Sequence, residues 1–223
     1  MLMNSNYLLR RMAGVYQPPE KKSDVTDVLF KSIINQMGGH QMMMDISRCR
    51  LLVPTSFYDF NICTNLQYLD VSYTQIDDLD PITDNCTVLR SLVLAGIEFL
   101  SPVTFQPLSK LVSLELLSLR SSNIESSEYL QGLLQLRSLD LGHSGISSIG
   151  CLQGLTRMEE LCLDHSMLKG EACVPESLHC LSRLKLLRLL NVCGTELEKA
   201  SASILDVVPP GGFSLEAKSR RLV

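Results

Sequence analysis

The chain has no tryptophan, and aromatic residues make up only 5% of its 223 positions. With so few aromatic rings, a core has to be built mainly from aliphatic side chains. Charged residues are also moderate, at 20% with a net charge of -4, which excludes disorder driven by charge and argues against a strongly basic nucleic-acid-binding protein. Apolar runs stay shorter than the roughly 18 residues of a membrane-spanning helix, so none is expected.

Sequence motifs for catalysis and for metal binding are equally scarce. The chain has no phosphate-binding loop, no glycine-rich dinucleotide motif, no His-Glu-x-x-His and no Cys-x-x-Cys pair. Gly142-His143-Ser144-Gly145 has part of a nucleophile elbow, but that motif needs a glycine two residues after the serine, where the chain has Ile146. We therefore expect no enzymatic activity, no catalytic residue, no metal site and no cofactor.

Leucine is the residue that the chain has in excess, with 41 of 223 positions. Most of the leucines follow the frame L-x-x-L-x-L-x-x-N-x-L in seven consecutive units, and 27 of the 28 apolar slots hold an apolar residue. Adjacent units start 22 to 29 residues apart. Within each unit, the L-x-L alternation predicts a short strand with its leucines on one face. The units begin at Gln41, Leu66, Leu89, Leu114, Leu136, Met158 and Leu187.

The frame and its period resemble those of the leucine-rich repeat superfamily. The resemblance implies an α/β solenoid, a horseshoe of about seven repeats with a parallel sheet on its concave face and return segments on its convex face. One strand with its return segment cannot bury its leucines alone, so the repeats have to stack and form a continuous core. In this superfamily the concave face is the usual binding surface, which implies protein binding there.

The slot that holds asparagine in the common form of the repeat is filled differently here. In the superfamily this amide bonds the backbone of adjacent turns. Serine or threonine fills the slot in five of the seven units, and a hydroxyl can supply part of the same hydrogen bonding. Ile97 has no polar group, so we expect the third turn to be locally rearranged. Cys63 and Cys86 share another slot, which in cysteine-containing repeats is a small buried position.

The pattern divides the chain into four segments: an N-terminal arm at 1–22, a capping helix at 23–40, the repeat domain at 41–200, and a closing segment with a basic tail at 201–223. Ser23 stands where an N-cap is expected, and apolar residues recur on one helical face as far as Ile33, which predicts an amphipathic helix at 23–37. Such a helix would cover the open end of the solenoid core. The wider spacing before the last unit predicts a convex-side helix between Lys169 and Arg183.

Strand alternation decides which side chains face the concave surface. In each unit they are the residue before the second leucine, the residue between the two leucines of L-x-L, and the pair that follows. Two tyrosines and two histidines flank a small, mildly apolar middle, with several carboxylates alongside. A groove of this kind suits a basic, partly apolar segment of a protein partner. The candidate partner-binding residues are Tyr68, Asp70, Tyr73, Leu116, Arg120, Asp140, His143, Glu160, Asp164 and His165.

The function expected from these observations is a non-enzymatic protein-interaction module, a subunit or adaptor of a larger intracellular assembly that binds through the concave face. One alternative is a ubiquitin-ligase substrate receptor, in which the helix at 23–37 is part of an F-box. Another is a ribonucleoprotein or mitochondrial complex assembly subunit, because residues 1–19 contain Arg10 and Arg11 but no acid. Nucleic-acid contact is expected only through the basic termini.

Cysteine usage bears on the location of the protein. The eight cysteines are scattered through the chain, and no apolar segment followed by a small-residue cleavage site precedes them. Reduced thiols and a cytoplasmic location are therefore expected. A mitochondrial location is the alternative, because of the acid-free N-terminal segment at 1–19.

Overall fold

The computed structural model describes residues 24–25, 42–48, 50–51, 60–99, 102–170, 175–200, 204 and 214–216. In this part of the chain, β1 (Asp24–Val25) and β3 (Arg50–Leu51) form a small parallel pair. All other described strands belong to one parallel sheet, in which each strand pairs with that of the next repeat. In sheet order these strands are β2 (Met43–Asp45), β4 (Tyr68–Asp70), β5 (Ser91–Val93), β6 (Leu116–Ser118), β7 (Ser138–Asp140), β8 (Glu160–Cys162), β9 (Leu189–Asn191) and β10 (Ser214–Glu216).

The leucine frame predicted both the parallel solenoid and the position of its strands, and both predictions are confirmed for β2 and for β4 to β9. The strands stack without offset, so the middle residue of each lies beside the middle residue of its neighbour, as Leu117 does beside Leu92 and Leu139. These three side chains are buried between the sheet and the return segments. A shift of one residue would turn each leucine to the opposite face, so burial of one face specifies the register.

The return segments are short helices. They comprise α1 (Asp80–Asn85), α2 (Pro175–Ser182) and 3₁₀ helices at Phe60–Ile62, Pro102–Lys110, Ser127–Leu130, Gly150–Gly154 and Glu196–Ala200. α2 confirms the helix predicted between Lys169 and Arg183, because the longer sixth unit has room for two α-helical turns. Among the described helices, none has the length and apolar character needed to cross a membrane.

Hydroxyl groups occupy the place of the missing asparagines, as predicted. Ser144 Oγ donates a hydrogen bond to the carbonyl of Leu141 at 2.6 Å, three residues earlier, and so closes the turn after the strand. The same bond recurs at the equivalent position of four other repeats, formed by Thr74, Ser122, Ser166 and Thr195. Cys63 and Cys86 are both buried, in agreement with the small buried slot assigned to them.

The third turn, at Ile97, differs from the others in one hydrogen bond. Gly96 N–H keeps the ladder bond to the carbonyl of Arg120, at 2.8 Å. In the five turns with serine or threonine in the slot, the N–H of that residue also donates to the carbonyl three residues earlier at 3.2 to 3.3 Å, and Ile97 does not form this bond. The predicted local rearrangement is therefore limited to this bond. Asn123 of the fourth repeat supplies the side-chain hydrogen bonds instead, accepting from Phe99 N–H at 3.0 Å and donating to Phe99 O at 2.6 Å.

Two predictions about the ends of the solenoid need correction. Among the described residues the sheet has eight strands rather than about seven, because β10 lies in the predicted closing segment and pairs with β9 through Leu215 and Leu190. Asp24 and Val25 lie in a strand and not in the predicted capping helix, because their backbone pairs with β3. The other residues predicted for that helix, and the arm at 1–22, lie outside the described residues.

Candidate functional site

One residue of each predicted repeat has a left-handed backbone, and these residues form a row along the carboxyl edge of the sheet. Their φ angles lie between 53° and 71°. A residue with a Cβ atom is disfavoured there by roughly 1–2 kcal/mol. The hydrogen-bond ladder holds the conformation in place: the N–H groups of Tyr73 and His143 donate to the next repeat at 2.7 Å. This left-handed row consists of Arg48, Tyr73, Gly96, Ser121, His143, His165 and Gly194.

Aromatic rings in the left-handed row pack closely against glycines of the following repeat. The Tyr73 ring covers Gly96 so closely that a Cβ atom on Gly96 would overlap it. His165 covers Gly194 in the same way, and a Cβ atom there would lie 2.6 Å from His165 Cδ2. On its other side, the Tyr73 ring contacts the guanidinium of Arg48, whose Cζ is 4.9 Å from the ring centroid. These rings are therefore held in fixed positions although they are exposed.

The first part of the concave face is apolar, and we call it the apolar half. Tyr68, Val93 and Ala95 form a second buried cluster, separate from the leucine core, and Met43 and Leu116 pack against it half-buried. Because concave side chains alternate with core side chains along each strand, this cluster lies on the opposite face of the sheet from the leucines. Tyr68 is only 8% exposed, so it belongs to the cluster.

The charged half, formed by Arg120, Asp140, His143, Asp164 and His165, follows on the same face. Arg120 binds Asp164 with two hydrogen bonds, from Nη1 to Oδ1 at 2.9 Å and from Nη2 to Oδ2 at 2.7 Å. Its Nη1 also contacts Asp140 Oδ1 at 3.3 Å. The side chains of Asp140 and Asp164 are only 4% and 8% exposed. Arg120 thus pairs with carboxylates from two successive repeats.

Burial and pairing shift the pKa values of these carboxyl groups in opposite directions. Burial raises the pKa of Asp140 to about 6, against the lowering effect of Arg120 and of the Gly142 N–H. Burial also acts to raise the pKa of Asp164, but its hydrogen bonds and charge interaction with Arg120 outweigh burial and lower it. The deeper burial of Asp140 and the two-pronged contact of Arg120 with Asp164 together account for this difference.

His143 and His165 stand above Asp164 as a stacked pair. Their ring centroids are 4.6 Å apart with the planes 3° from parallel. His143 Nε2 and His165 Nδ1 each lie 3.4 Å from Asp164 Oδ2. The two side chains are 47% and 46% exposed. Partial burial, together with the charges of Arg120 and His165, lowers the pKa of His143, so its ring is predominantly neutral near neutral pH.

The aspartates that stand between the two leucines of L-x-L, such as Asp70 and Asp140, accept hydrogen bonds that close the turn after their strand. Asp70 Oδ1 accepts from Ser72 N–H at 2.9 Å and from Ser72 Oγ at 2.6 Å. Asp140 Oδ1 accepts from Gly142 N–H at 3.0 Å. Aspartate and asparagine side chains commonly form turns by accepting a hydrogen bond from the backbone N–H two residues later. These carboxylates therefore have a structural role that the sequence interpretation did not assign to them.

The structure sorts the ten predicted site residues by exposure. Tyr73, His143 and His165 are exposed, and Leu116, Arg120 and Glu160 are intermediate. The remaining four, Tyr68, Asp70, Asp140 and Asp164, are buried. Whether the ten bind a partner stays a prediction. The sequence interpretation did not select Arg48, although its place in the same slot as Tyr73 marks it, or Cys162, whose Sγ donates to Asp164 Oδ1 at 3.2 Å.

No protein-family model matches this chain, and no curated protein is similar to it in sequence. Solved structures are similar in fold. An internalin from Listeria monocytogenes has a TM-score of 0.69 at 22% identity, over 90% of this chain and 53% of that protein. An internalin C2 from the same organism has a TM-score of 0.62 at 21% identity, over 89% of this chain and 78% of that protein. A leucine-rich repeat protein from Leptospira interrogans has a TM-score of 0.64 at 17% identity, over 99% of this chain and 59% of that protein.

These solved structures are longer than the chain, which spans about half of the first and more than three-quarters of the second. At identities of 17% to 22%, their similarity establishes the fold and nothing finer. Function has to be argued from the site itself.

Proposed function

We propose that this chain, a leucine-rich repeat protein by its fold, is a non-enzymatic module that binds a protein partner on its concave face. A leucine-rich repeat fold is generally non-catalytic and typically binds proteins. The proposal extends this to a subunit or adaptor of a larger intracellular assembly. The observation that supports it most is the set of exposed rings at Tyr73, His143 and His165, which adjacent repeats hold in place.

Fixed, exposed rings suit protein binding because they lose little conformational entropy on association. Tyrosine side chains are common anchors of interfaces for this reason, since they offer a large area with few rotatable bonds. Tyr73 is 45% exposed and lies between Arg48 and Gly96. Its ring is thus ordered before a partner arrives, while its uncovered edge stays open to solvent.

The chemistry of the partner follows from what remains accessible. Asp70 and Asp140 are buried, and Arg120 neutralises Asp164, so the face attracts a basic segment less strongly than its acidic residues suggest. Half-buried Glu160 retains some attraction for basic groups. We infer that the partner contributes apolar or aromatic side chains that pack against the exposed edges of these rings, beside this mildly acidic surface.

Comparative affinity capture from cell extract, read by quantitative mass spectrometry, tests the proposal. Tyr73→Ala should lose specific partners by at least about tenfold, the effect of a hot-spot residue. Leu186→Ala is the control, because Leu186 is 51% exposed but precedes β9 outside the left-handed row. Both variants should unfold at nearly the temperature of the wild type. Loss of partners from Leu186→Ala with full retention by Tyr73→Ala would move the interface off the concave face.

The two alternatives rest on other parts of the chain. The ligase-receptor hypothesis depends on the helix predicted at 23–37, and the ribonucleoprotein or mitochondrial hypothesis on the basic residues of 1–19 and of the C-terminal tail. Apart from β1, those residues lie outside the described part of the structure. No feature of the described residues favours either alternative over the concave-face proposal. The cytoplasmic location likewise stays a prediction.

A further inference from the structure

Three side chains with metal-binding atoms converge at the carboxyl edge of the sheet, in the fifth and sixth repeats. His143, Asp164 and His165 each offer one such atom, and the three atoms lie within 4.8 Å of one another. We propose that they form a site for a single divalent transition-metal ion of the Zn²⁺ type, held by His143 Nε2, Asp164 Oδ2 and His165 Nδ1. The site shares His143 and His165 with the partner-binding face proposed above, but metal binding is measured without any partner.

The distances within the cluster match those between ligands of such an ion. Zinc binds imidazole nitrogen and carboxylate oxygen at about 2.0–2.2 Å, so two tetrahedral ligands are roughly 3.3–3.5 Å apart. Asp164 Oδ2 lies 3.4 Å from His143 Nε2 and 3.4 Å from His165 Nδ1. Both carboxylate-to-imidazole edges of a tetrahedron are thus already present before an ion binds.

The cluster is supported from beneath and open above. Arg120 and Cys162 hold the carboxylate of Asp164 through hydrogen bonds, and hydrogen bonds of this kind orient a metal ligand before the ion binds. The two imidazoles are about half exposed, at 47% and 46%, so an ion has a direct route from solvent. Three protein ligands leave the fourth position to water on the concave face.

The net charge of the surroundings also permits a cation. Arg120 contributes one positive charge, but it is shared between two carboxylates, Asp140 and Asp164. With neutral imidazoles and both carboxylates ionised, these groups sum to one negative charge. The guanidinium weakens the attraction of Asp164 for an ion but does not reverse its sign. Two nitrogen ligands favour Zn²⁺ and similar ions over Ca²⁺ and Mg²⁺, which prefer oxygen.

A second combination of groups, Asp140, Cys162 and Asp164, lies nearby but is a weaker candidate. All three residues are buried, so an ion would have to displace the concave side chains to reach them. Burial raises the pKa of the Cys162 thiol far above its ordinary value, so the sulfur stays protonated and does not act as a ligand. The exposed cluster is the one that an ion reaches.

Binding requires one local change. The two imidazole rings are 3° from parallel, so their in-plane lone pairs point along parallel directions and do not converge on one atom. One ring has to turn about its Cβ–Cγ bond and leave the stack. Because His165 is packed against Gly194, the ring that turns is that of His143, while His165 Nδ1 keeps its distance of 3.4 Å to Asp164 Oδ2.

The test is calorimetric titration of the full chain with ZnCl₂, with Co²⁺ as a spectroscopic probe of the same site. We expect one equivalent of Zn²⁺ to bind, and His143→Asn and His165→Asn each to weaken binding at least about tenfold. Bound Co²⁺ should show the visible absorption of a low-coordinate nitrogen and oxygen site without a thiolate charge-transfer band. His179→Asn is the matched control, because His179 is an exposed histidine on α2, outside the cluster.

Folding of each variant is checked by thermal unfolding without metal, which separates loss of a ligand from loss of structure. Unchanged Zn²⁺ affinity in a folded His143→Asn/His165→Asn double variant would overturn the proposal, as would a thiolate band in the Co²⁺ spectrum. An absence of saturable binding to the wild-type chain would overturn it directly.

Discussion

The two halves of the concave face share a backbone and differ in what lines it. In both, the strands pair in register and a left-handed residue follows three positions after each strand. Tyr68 and Val93 line the apolar half by packing, whereas Arg120, Asp140 and Asp164 line the charged half by ion pairing. The repeat backbone is therefore compatible with either apolar or ion-paired side chains on its concave face. The halves differ in their tolerance to substitution, because a conservative apolar change costs little stability, whereas removal of one partner of a buried ion pair leaves an uncompensated charge.

Removal of the arginine should have the largest effect. Arg120→Met leaves Asp140 and Asp164 buried without their partner, and we expect a loss of about 3–5 kcal/mol in the free energy of unfolding. In the apolar half, Leu116→Met keeps volume and polarity and should cost less than about 1.5 kcal/mol. Urea unfolding measures both. Equal losses in the two variants would show that the halves do not differ as described.

The glycines beneath the rings should respond with an intermediate effect. Gly96→Ala combines a left-handed backbone with overlap of the Tyr73 ring, and we expect a loss of roughly 2–3 kcal/mol. In a Tyr73→Ala background the overlap disappears and roughly 1–2 kcal/mol should remain. Gly194→Ala, with and without His165→Ala, is the counterpart at the charged half. A Gly96→Ala loss that is unaffected by removal of the tyrosine ring would contradict the packing described for the left-handed row.

The third difference between the halves depends on pH, and a pKa difference of about two units limits its size to about 3 kcal/mol. The pKa of Asp140 is about 6 in the folded chain and 3.8 without its environment. The folded state therefore holds the proton more tightly, and this contribution is present below about pH 4 and lost as pH rises through 6. Asp140→Asn lacks this pH-dependent contribution. Its amide oxygen can still accept the hydrogen bond from Gly142 N–H, as Asn191 accepts one from Cys193 N–H.

The measurement is the unfolding free energy of wild type minus that of Asp140→Asn, followed from pH 4 to pH 7. It should fall with rising pH and level off above about 6. The lowered pKa of Asp164 acts in the opposite sense, and its contribution is lost as pH falls below the ordinary aspartate range. Leu116→Met, in the apolar half, should show the pH profile of the wild type. A difference that rises from pH 4 to 7 would contradict the assignment to Asp140.

The sequence predicted the strands well and the ends poorly. A unit such as 136–146 has four apolar slots that specify its register, so a single substitution does not obscure it. β10 has only Leu215 to mark it, and its pairing comes from backbone groups at the open edge of β9. Backbone groups are the same in every residue, so no side-chain pattern indicates this strand. For the same reason, the apolar spacing around Asp24 and Val25 predicts a helix where the backbone forms a strand.

The sequence predicted which face of the sheet the candidate site residues lie on, but not how deeply each is buried. Alternation correctly placed Tyr73, His143 and His165 together on one face with the carboxylates. It could not show that Asp164 is buried, because the group that covers it is Arg120, which reaches it across two repeats. Contacts between residues 44 positions apart depend on how the repeats stack. For the same reason, the sequence did not show that the Tyr73 and His165 rings each need a glycine in the next repeat.

By itself, the sequence determined the solenoid, its concave face and the identity of the side chains displayed there, because burial of leucine at a regular spacing admits one register. The tertiary structure decided which of those side chains remain available. Stacking brings each left-handed residue beside its equivalent in the next repeat, so a neighbour covers one carboxylate, neutralises another and leaves a ring in solvent. Exposure and charge at this face are properties of pairs of repeats, and a single repeat does not encode them.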